Sequence, residues 1–386
     1  MIAEVGHACL WLALAFAALQ LVAGLGPPSL RVLVAPAAYA QAALLATALA
    51  CLVLVFQSVD LSVETVVAQA DFGLPPLFRL AAVWANPPGV LMVSTTLLAL
   101  AGAGLAMGST PLAHPLRIAL LGLALDAAIV LGFDPFQRAI PAPTAGNGLA
   151  AVLQNPMLVP VTPLLAAGGV ALAVAVLLYR DGGRRWLWAS TALFAAAGLL
   201  RAWATWHQSG LIEPDPTMAA TLILWAATLA AAFVACPPGK PIATAIGLGA
   251  AMTIAVACCG TWTADAALPV TAPVSVAGHD LRLIGVAPAA GPNWTAVEAI
   301  VAVTRGGRTR TLHPQQRDYG PSASAIAVTG VLSAWDGDLA VTTSPGKGAT
   351  IPIRVAWRPL LSWAWLGGVV VVLASGAAAV RAGRRG

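Results

Sequence analysis

Charge is what this chain of 386 residues has least of. Asp, Glu, Lys and Arg make up 9% of it, against 59% hydrophobic residues. A water-soluble globular domain carries about 25% charged residues, so a chain this long has too few to coat an aqueous surface, and lipid must be its main solvent. The formal net charge of +5 would matter for nucleic acid if it formed a basic stripe on a soluble face. Here Lys and Arg fall in short stretches between apolar runs, and no nucleic-acid partner is expected. Cysteine is scarce and unpatterned. Cys9, Cys51, Cys236, Cys258 and Cys259 lie in or beside apolar stretches without a C-x-x-C spacing, which leaves a zinc site or a c-type haem attachment motif without support. Adjacent Cys258 and Cys259 read as small apolar helix residues. A P-loop, a dinucleotide fingerprint, a Gly-x-Ser-x-Gly elbow and a His-Glu-x-x-His helix are all missing. No catalytic residue is therefore assigned and no metal site is expected. Glu4 and His7 precede the first apolar run without a basic n-region or a small-residue cleavage pattern, so the N-terminus reads as a retained helix.

What is present is a series of apolar runs of spanning length, about 20 residues each: 7–25, 38–57, 89–107, 116–133, 158–179, 186–204, 217–236, 241–259 and 359–380. Several are rich in Ala and Gly, which suits close helix packing in lipid. Loop charge orients them. With the N-terminus outside, the inward loops and tail hold Arg31, Arg117, Arg180, Arg184, Arg185, Lys240, Arg381, Arg384 and Arg385. The outward ones hold Asp60, Glu64, Asp71, Asp134, Glu213 and Asp215 against Arg79 and Arg138. Basic residues favour the cytoplasmic side, so the expectation is a bacterial inner-membrane protein, N-terminus outside and C-terminus inside. An odd number of spans, nine, follows from the basic tail.

The fold class expected is an α-helical integral membrane protein of about nine transmembrane helices with a small antiparallel β domain on the outer side. Residues 1–260 form the bundle, about eight helices, with an amphipathic outer segment at 58–88 suited to the membrane surface. Residues 134–157, rich in Pro and Gly, read as a loop. Residues 261–357 hold alternating runs, DLRLIGV and TAVEAIVAVT, and a Gly306-Gly307 turn before RTRTL. That pattern predicts a hairpin inside a periplasmic β domain. Residues 358–386 are the last helix and a basic cytoplasmic tail.

Few side chains suggest chemistry. Asp126 falls inside an apolar run, either a functional intramembrane carboxylate or a hydrogen-bonded packing residue. Arg201 reads as a side chain snorkelling from a helix end. The stretch LRAWATWHQSGLIEPDPTMAATLILW at 200–225 is the richest. Trp203 and Trp206 end a helix, His207 follows, and Glu213 and Asp215 bracket Pro214. These residues make either a ledge for a flat amphipathic ligand or an aromatic belt anchoring two helix ends. His207 is either an axial ligand for iron or a solvated residue. His279 and His313 are expected to face water, and His114 to lie in an inward loop. Asn293-Trp294-Thr295 matches a glycosylation acceptor and carries little weight.

Several stretches, in order, resemble CcmF, the haem lyase family of cytochrome c maturation. They are the DLSV and LPPLFRLAAVW segments within 60–84, DPFQR at 134–138, LQNP at 153–156, Asp215-Pro216 with Trp225 downstream, GPNWTAVEAIVAVTRGG, LHPQQRDY and WRPLLSWAWLGG. The resemblance implies a b-type haem, partnership with other maturation subunits and a haem chaperone, and delivery or attachment of haem to apocytochrome c. It makes Trp203, Trp206, His207, Asp215 and Trp225 candidates to face haem, in what stands for the family's tryptophan-rich motif. It also exposes departures. The positions resembling the family's haem-ligating histidines carry Val161, Phe233 and Ile246, which cannot coordinate iron. A further multi-helix stretch after Cys236 has no counterpart in this sequence, and another chain is one source for it. The sequence therefore reads as a shortened, divergent CcmF-like subunit. The alternative is a non-catalytic assembly or docking protein that kept the scaffold without haem. A transporter is a third, weaker reading, since no repeat or broken-helix pair is visible.

Overall fold

The computed structural model describes residues 1–108, 111–178, 182–212, 216–269, 272–319, 325–344 and 350–384. Arg180, Glu213, Asp215 and Arg385, named above, lie outside them. The helices are α1 (Ile2–Leu25), α2 (Val34–Gln57), α3 (Glu64–Gln69), α4 (Pro76–Val83), α5 (Pro87–Met107), α6 (Ala113–Gly132), α7 (Val161–Leu177), α8 (Arg184–Ser209), α9 (Pro216–Ala235), α10 (Lys240–Cys258) and α11 (Leu361–Arg384). Among the described residues eight helices are long and apolar enough to cross a membrane, and α7, with 17 residues, is a shorter apolar helix. Each of the nine expected runs falls on one of these helices. The chain divides into two compact units.

The first unit comprises Met1–Phe194, Trp225–Pro237 and Gly376–Gly386. Leu10, Leu45, Leu52, Phe56, Met92 and Ile129 form part of its buried core, contributed by α1, α2, α5 and α6. One polar thread runs through it. Gln20 Nε2 donates to Gln41 Oε1 at 2.6 Å, and Gln41 Nε2 donates to Asp126 Oδ2 at 2.8 Å. An aspartate at the centre of an inserted helix costs about 2.5–3.5 kcal/mol, and the glutamine chain offsets part of that while tying α1, α2 and α6 together. Asp126 is thus buried and hydrogen-bonded through one carboxylate oxygen. The start of α5 is set locally: the Asn86 side chain accepts from Gly89 N at 2.8 Å, with Pro87 in the first turn.

Two local readings need correcting. Helix α1 begins at Ile2, so Glu4 and His7 belong to it. Glu4 pairs with Arg138, and His7 Nδ1 lies 3.0 Å from Asp134 Oδ2 while its Nε2 accepts from Trp11 Nε1 at 2.9 Å. These contacts stabilise a first turn that apolarity alone does not announce. His114 is no loop residue: it sits buried at the start of α6. The 58–88 segment folds into α3 and α4. The 134–157 loop lies along it, through Glu64 N to Gln137 O at 2.8 Å, Ala139 N to Ser62 O at 3.0 Å and Asn147 N to Val67 O at 2.7 Å.

The second unit comprises Ala195–Leu224 and Pro238–Ser375. Its strands are β1 (Trp262–Pro269), β2 (Val274–Val276), β3 (His279–Ala290), β4 (Thr295–Arg305), β5 (Arg308–Leu312), β6 (Gln315–Asp318), β7 (Ile326–Val328), β8 (Gly330–Ala334), β9 (Gly337–Thr343) and β10 (Thr350–Pro359). One antiparallel sheet has the order β1-β10-β9-β8, and the other β2-β3-β4-β6-β7 with β5 added beside β4. The expected hairpin is present. Gly306 and Gly307, with φ of 54° and 76°, turn β4 into β5, as a two-residue turn with both central φ positive requires. Alternation buries Leu281, Leu283, Val301, Val303, Val341, Ile353 and Val355 between the sheets, each worth about 1.5–3 kcal/mol in transfer terms.

Candidate functional site

The end of α8 is where the sequence concentrates aromatic and titratable groups, and the structure places that end against the β strands of the same unit. Trp203 and His207 are one helical turn apart. The imidazole stacks on the indole with centroids 3.9 Å apart and planes 29° from parallel, and Nδ1 lies 2.9 Å from the Trp203 carbonyl oxygen. A carbonyl accepts and never donates, so Nδ1 carries the proton and, in the neutral ring, Nε2 holds the lone pair. Gly210, at φ +70°, ends the helix in the left-handed conformation that caps helices. Its position lies against Ala340 of β9, and the Thr329 hydroxyl donates to Gln208 O at 3.1 Å.

Trp206 points the other way. It is fully buried among Val256 of α10, Ala340 of β9, Ala356 of β10, and Leu361 and Ala364 of α11. It is a packing residue, with no open face for a flat ligand. Beside it is a group that sequence reasoning missed, Asp338 of β9. Ser333 Oγ donates to its Oδ2 at 2.9 Å and Ser362 Oγ to its Oδ1 at 3.3 Å. Burial pushes the Asp338 carboxyl above its ordinary value; the two serines, His207 and the Trp206 indole pull it back without prevailing. Asp338 thus ties β8, β9 and the first turn of α11 to one carboxylate. In the sequence it stands in Trp-Asp-Gly-Asp, which reads as a solvated turn, and no local signal distinguishes it. Trp225 belongs to the other compact unit, on α9, and Asp215 lies outside the described residues.

His279 also departs from expectation. It is buried, with Nδ1 2.9 Å from Ala277 O and its ring 5.2 Å from that of Trp357, over which Arg305 lies at 5.1 Å. Burial is the main reason its pKa falls below the ordinary histidine value. His313 is exposed as expected and sits 2.7 Å from Glu298. Groups of three or more His, Cys, Asp or Glu able to hold a metal ion are absent among the described residues.

Asp338 and His279 predict opposite responses to acid. Protonated Asp338 is favoured by the fold, so its contribution is complete below the ordinary 3.8 and is lost as pH rises through its raised folded value. Neutral His279 is favoured, so its contribution is complete above the ordinary 6.5 and is lost as pH falls through its lowered value. Thermal unfolding between pH 4 and 7 should show Asp338→Asn losing more stability toward acid than the unmodified protein, and His279→Asn losing less. Profiles parallel to the unmodified protein would contradict both assignments.

The architecture matches a known one. A solved structure of the cytochrome c haem lyase CcmF superposes with a TM-score of 0.76 over 97% of this chain and 97% of that one, at 14% identity. The family model described as the CcmF C-terminal beta-sandwich matches residues 261–359. The chain is CcmF-like. Among curated relatives, the cytochrome c-type biogenesis protein ccl1 of Rhodobacter capsulatus is 33% identical over 45% of this chain and 28% of its own length. CcmF of Pseudomonas aeruginosa is 34% identical over 58% and 33%, and CcmF of Pseudomonas fluorescens 32% over 70% and 37%. The chain thus spans about a third of the length of these relatives.

The three residues expected to stand where the family has histidines are packing residues in this chain. Val161 is buried at the start of α7 and Ile246 is buried in α10. Phe233 meets Trp188 edge-on at 5.3 Å, while the Trp188 indole donates to Cys236 O at 3.1 Å. None offers a lone pair. A haem held by paired histidines does not fit the residues present at these three positions.

Proposed function

We propose that this chain serves cytochrome c maturation as a CcmF-like membrane subunit, taking part in the delivery or attachment of haem to apocytochrome c without ligating a haem at the positions resembling the family's. The observation that carries this reading is one architecture shared over nearly the whole of both chains. Its sequence relatives among the cytochrome c-type biogenesis proteins support it. The site lies in the bacterial inner membrane, N-terminus outside, with the β strands on the periplasmic side; the placement of Arg31, Arg117, Lys240 and Arg381 supports that orientation. Other maturation subunits and a haem chaperone are its partners, and apocytochrome c its client. Trp203 and His207 are the groups that face haem or the client. Trp206 fixes the end of α8, which carries Trp203 and His207, against the strands.

Deleting the gene and staining membranes for covalent haem tests the reading: mature c-type cytochromes should fall at least tenfold. Normal cytochromes would sink it. The replacement of histidine by Val161, Phe233 and Ile246 favours a second reading, a docking protein that assembles other maturation subunits and handles no haem. Addition of haem to the purified protein separates the two. A Soret shift that His207→Ala removes supports haem handling; stable co-purification with a membrane partner and no shift supports docking.

A further inference from the structure

The turn between β8 and β9 is Ala334-Trp335-Asp336-Gly337, and Trp335 is 76% exposed although it is one of the largest apolar side chains available. The turn is rigid. Ser362 Oγ donates to Ala334 O at 2.9 Å, Trp363 Nε1 to Trp335 O at 2.9 Å, and Leu360 N to Asp336 O at 2.9 Å. Asp336 is paired with Arg305 at 2.7 Å. A side chain on Gly337 would strike the Trp357 ring and Arg358 O, both at 2.7 Å, so the turn is pinned from that side too.

These contacts fix the backbone of Trp335 at the first turn of α11, a helix apolar enough to span the membrane. The bond from Trp363 also selects the side. Trp363, Leu366, Val369 and Leu373 are the exposed apolar residues of that stretch of α11, spaced as one helical face. The face on a spanning helix that no protein covers is the one lipid covers. Trp335 is held to the top of that face, at the level where indoles partition into the headgroup boundary.

We propose that the β8–β9 turn is a membrane-inserting element, with Trp335 embedded in the lipid interface beside α11 and fixing the depth of the strands against the bilayer. The partner is the lipid surface itself, argued from continuity with the apolar face of α11.

The test uses the full chain, purified and reconstituted alone in nanodiscs of phosphatidylcholine brominated near the headgroup. Because the protein has 13 tryptophans, the signal is the emission of the unmodified protein minus that of Trp335→Phe, with Trp335→Tyr as a second subtraction should the first variant unfold. The difference emission should be quenched severalfold by brominated lipid relative to unbrominated lipid, and be insensitive to aqueous iodide. Quenching by iodide and not by bromine would overturn the proposal and leave water or an absent protein partner as the neighbour of Trp335. Quenching by neither would overturn it equally, since the indole would then be covered by protein.

Discussion

Leucine in place of Gly367 should drive α10 and α11 apart and leave little folded protein. A Cβ at Gly367 would lie 2.6 Å from Gly249 O and 2.9 Å from Thr253 Oγ1, and a Cβ at Gly249 would lie 2.6 Å from Gly367 O. The obstacle in each case is the backbone of the other helix, which no rotamer change relieves. The close approach lets Thr253 Oγ1 lie 3.0 Å from Gly249 O and 3.4 Å from Ala364 O, bridging the helices. Small residues at helix crossings do this generally in membranes, where packing rather than water exclusion drives association. Overpacking costs about 1–3 kcal/mol and occasionally more; with backbone as the obstacle, alanine should cost about the top of that range and leucine exceed it. Detergent-extracted yield and thermal midpoint read the effect, with Gly247→Leu as the control, since nothing lies within 4 Å of that position. Equal behaviour of the two leucine variants would show that the crossing is not as described.

Removing the Trp206 side chain should be nearly as damaging. Trp206 is among the largest fully buried side chains of the molecule, and it fills the space where α8, α10, α11, β9 and β10 meet. Truncating a buried tryptophan to alanine costs about 3–5 kcal/mol, transfer loss and cavity together. Trp206→Ala should therefore lower the thermal midpoint and expose the chain near Gly210 to protease, while Trp206→Phe should recover most of the loss. Trp203→Ala, at a half-buried position stacked on the His207 ring, should leave the midpoint within a few degrees. If haem attachment fails in Trp203→Ala although the protein remains folded, the role of the α8 end is functional; failure confined to Trp206→Ala is structural.

What the sequence made legible follows from how local each signal is. An apolar run of twenty residues is decisive by itself, because lipid is the only solvent that tolerates it, and the nine runs accordingly fall on helices. The β4–β5 hairpin was legible because two adjacent glycines and alternating valines need no distant partner to be interpreted. Asp338 was not legible, because its burial depends on α8 and α11, remote in sequence. The same holds for His279, buried through Trp357 and Arg305, and for Trp206, whose sequence position at a helix end suggested an interfacial ledge while tertiary packing encloses it. The start of α1 was obscured by Glu4 and His7, whose partners, Arg138 and Asp134, lie on a loop far along the chain. In each case the error came from reading a polar residue by its neighbours in sequence when its partners lie elsewhere.

Strand β1 pairs with β10 from Trp262↔Trp357 to Pro269↔Thr350. Neighbouring strands lie about 4.8 Å apart, so the chain departs from α10 and returns to α11 through two adjoining strands. Everything between them is a cassette with its two ends side by side. Closing such a gap asks for only a short linker and little loop entropy, and the glycine crossing of α10 and α11 lies entirely in the flanking helices. The membrane-embedded pair and the cassette can therefore diverge, shrink or be exchanged at different rates, without rethreading a single span.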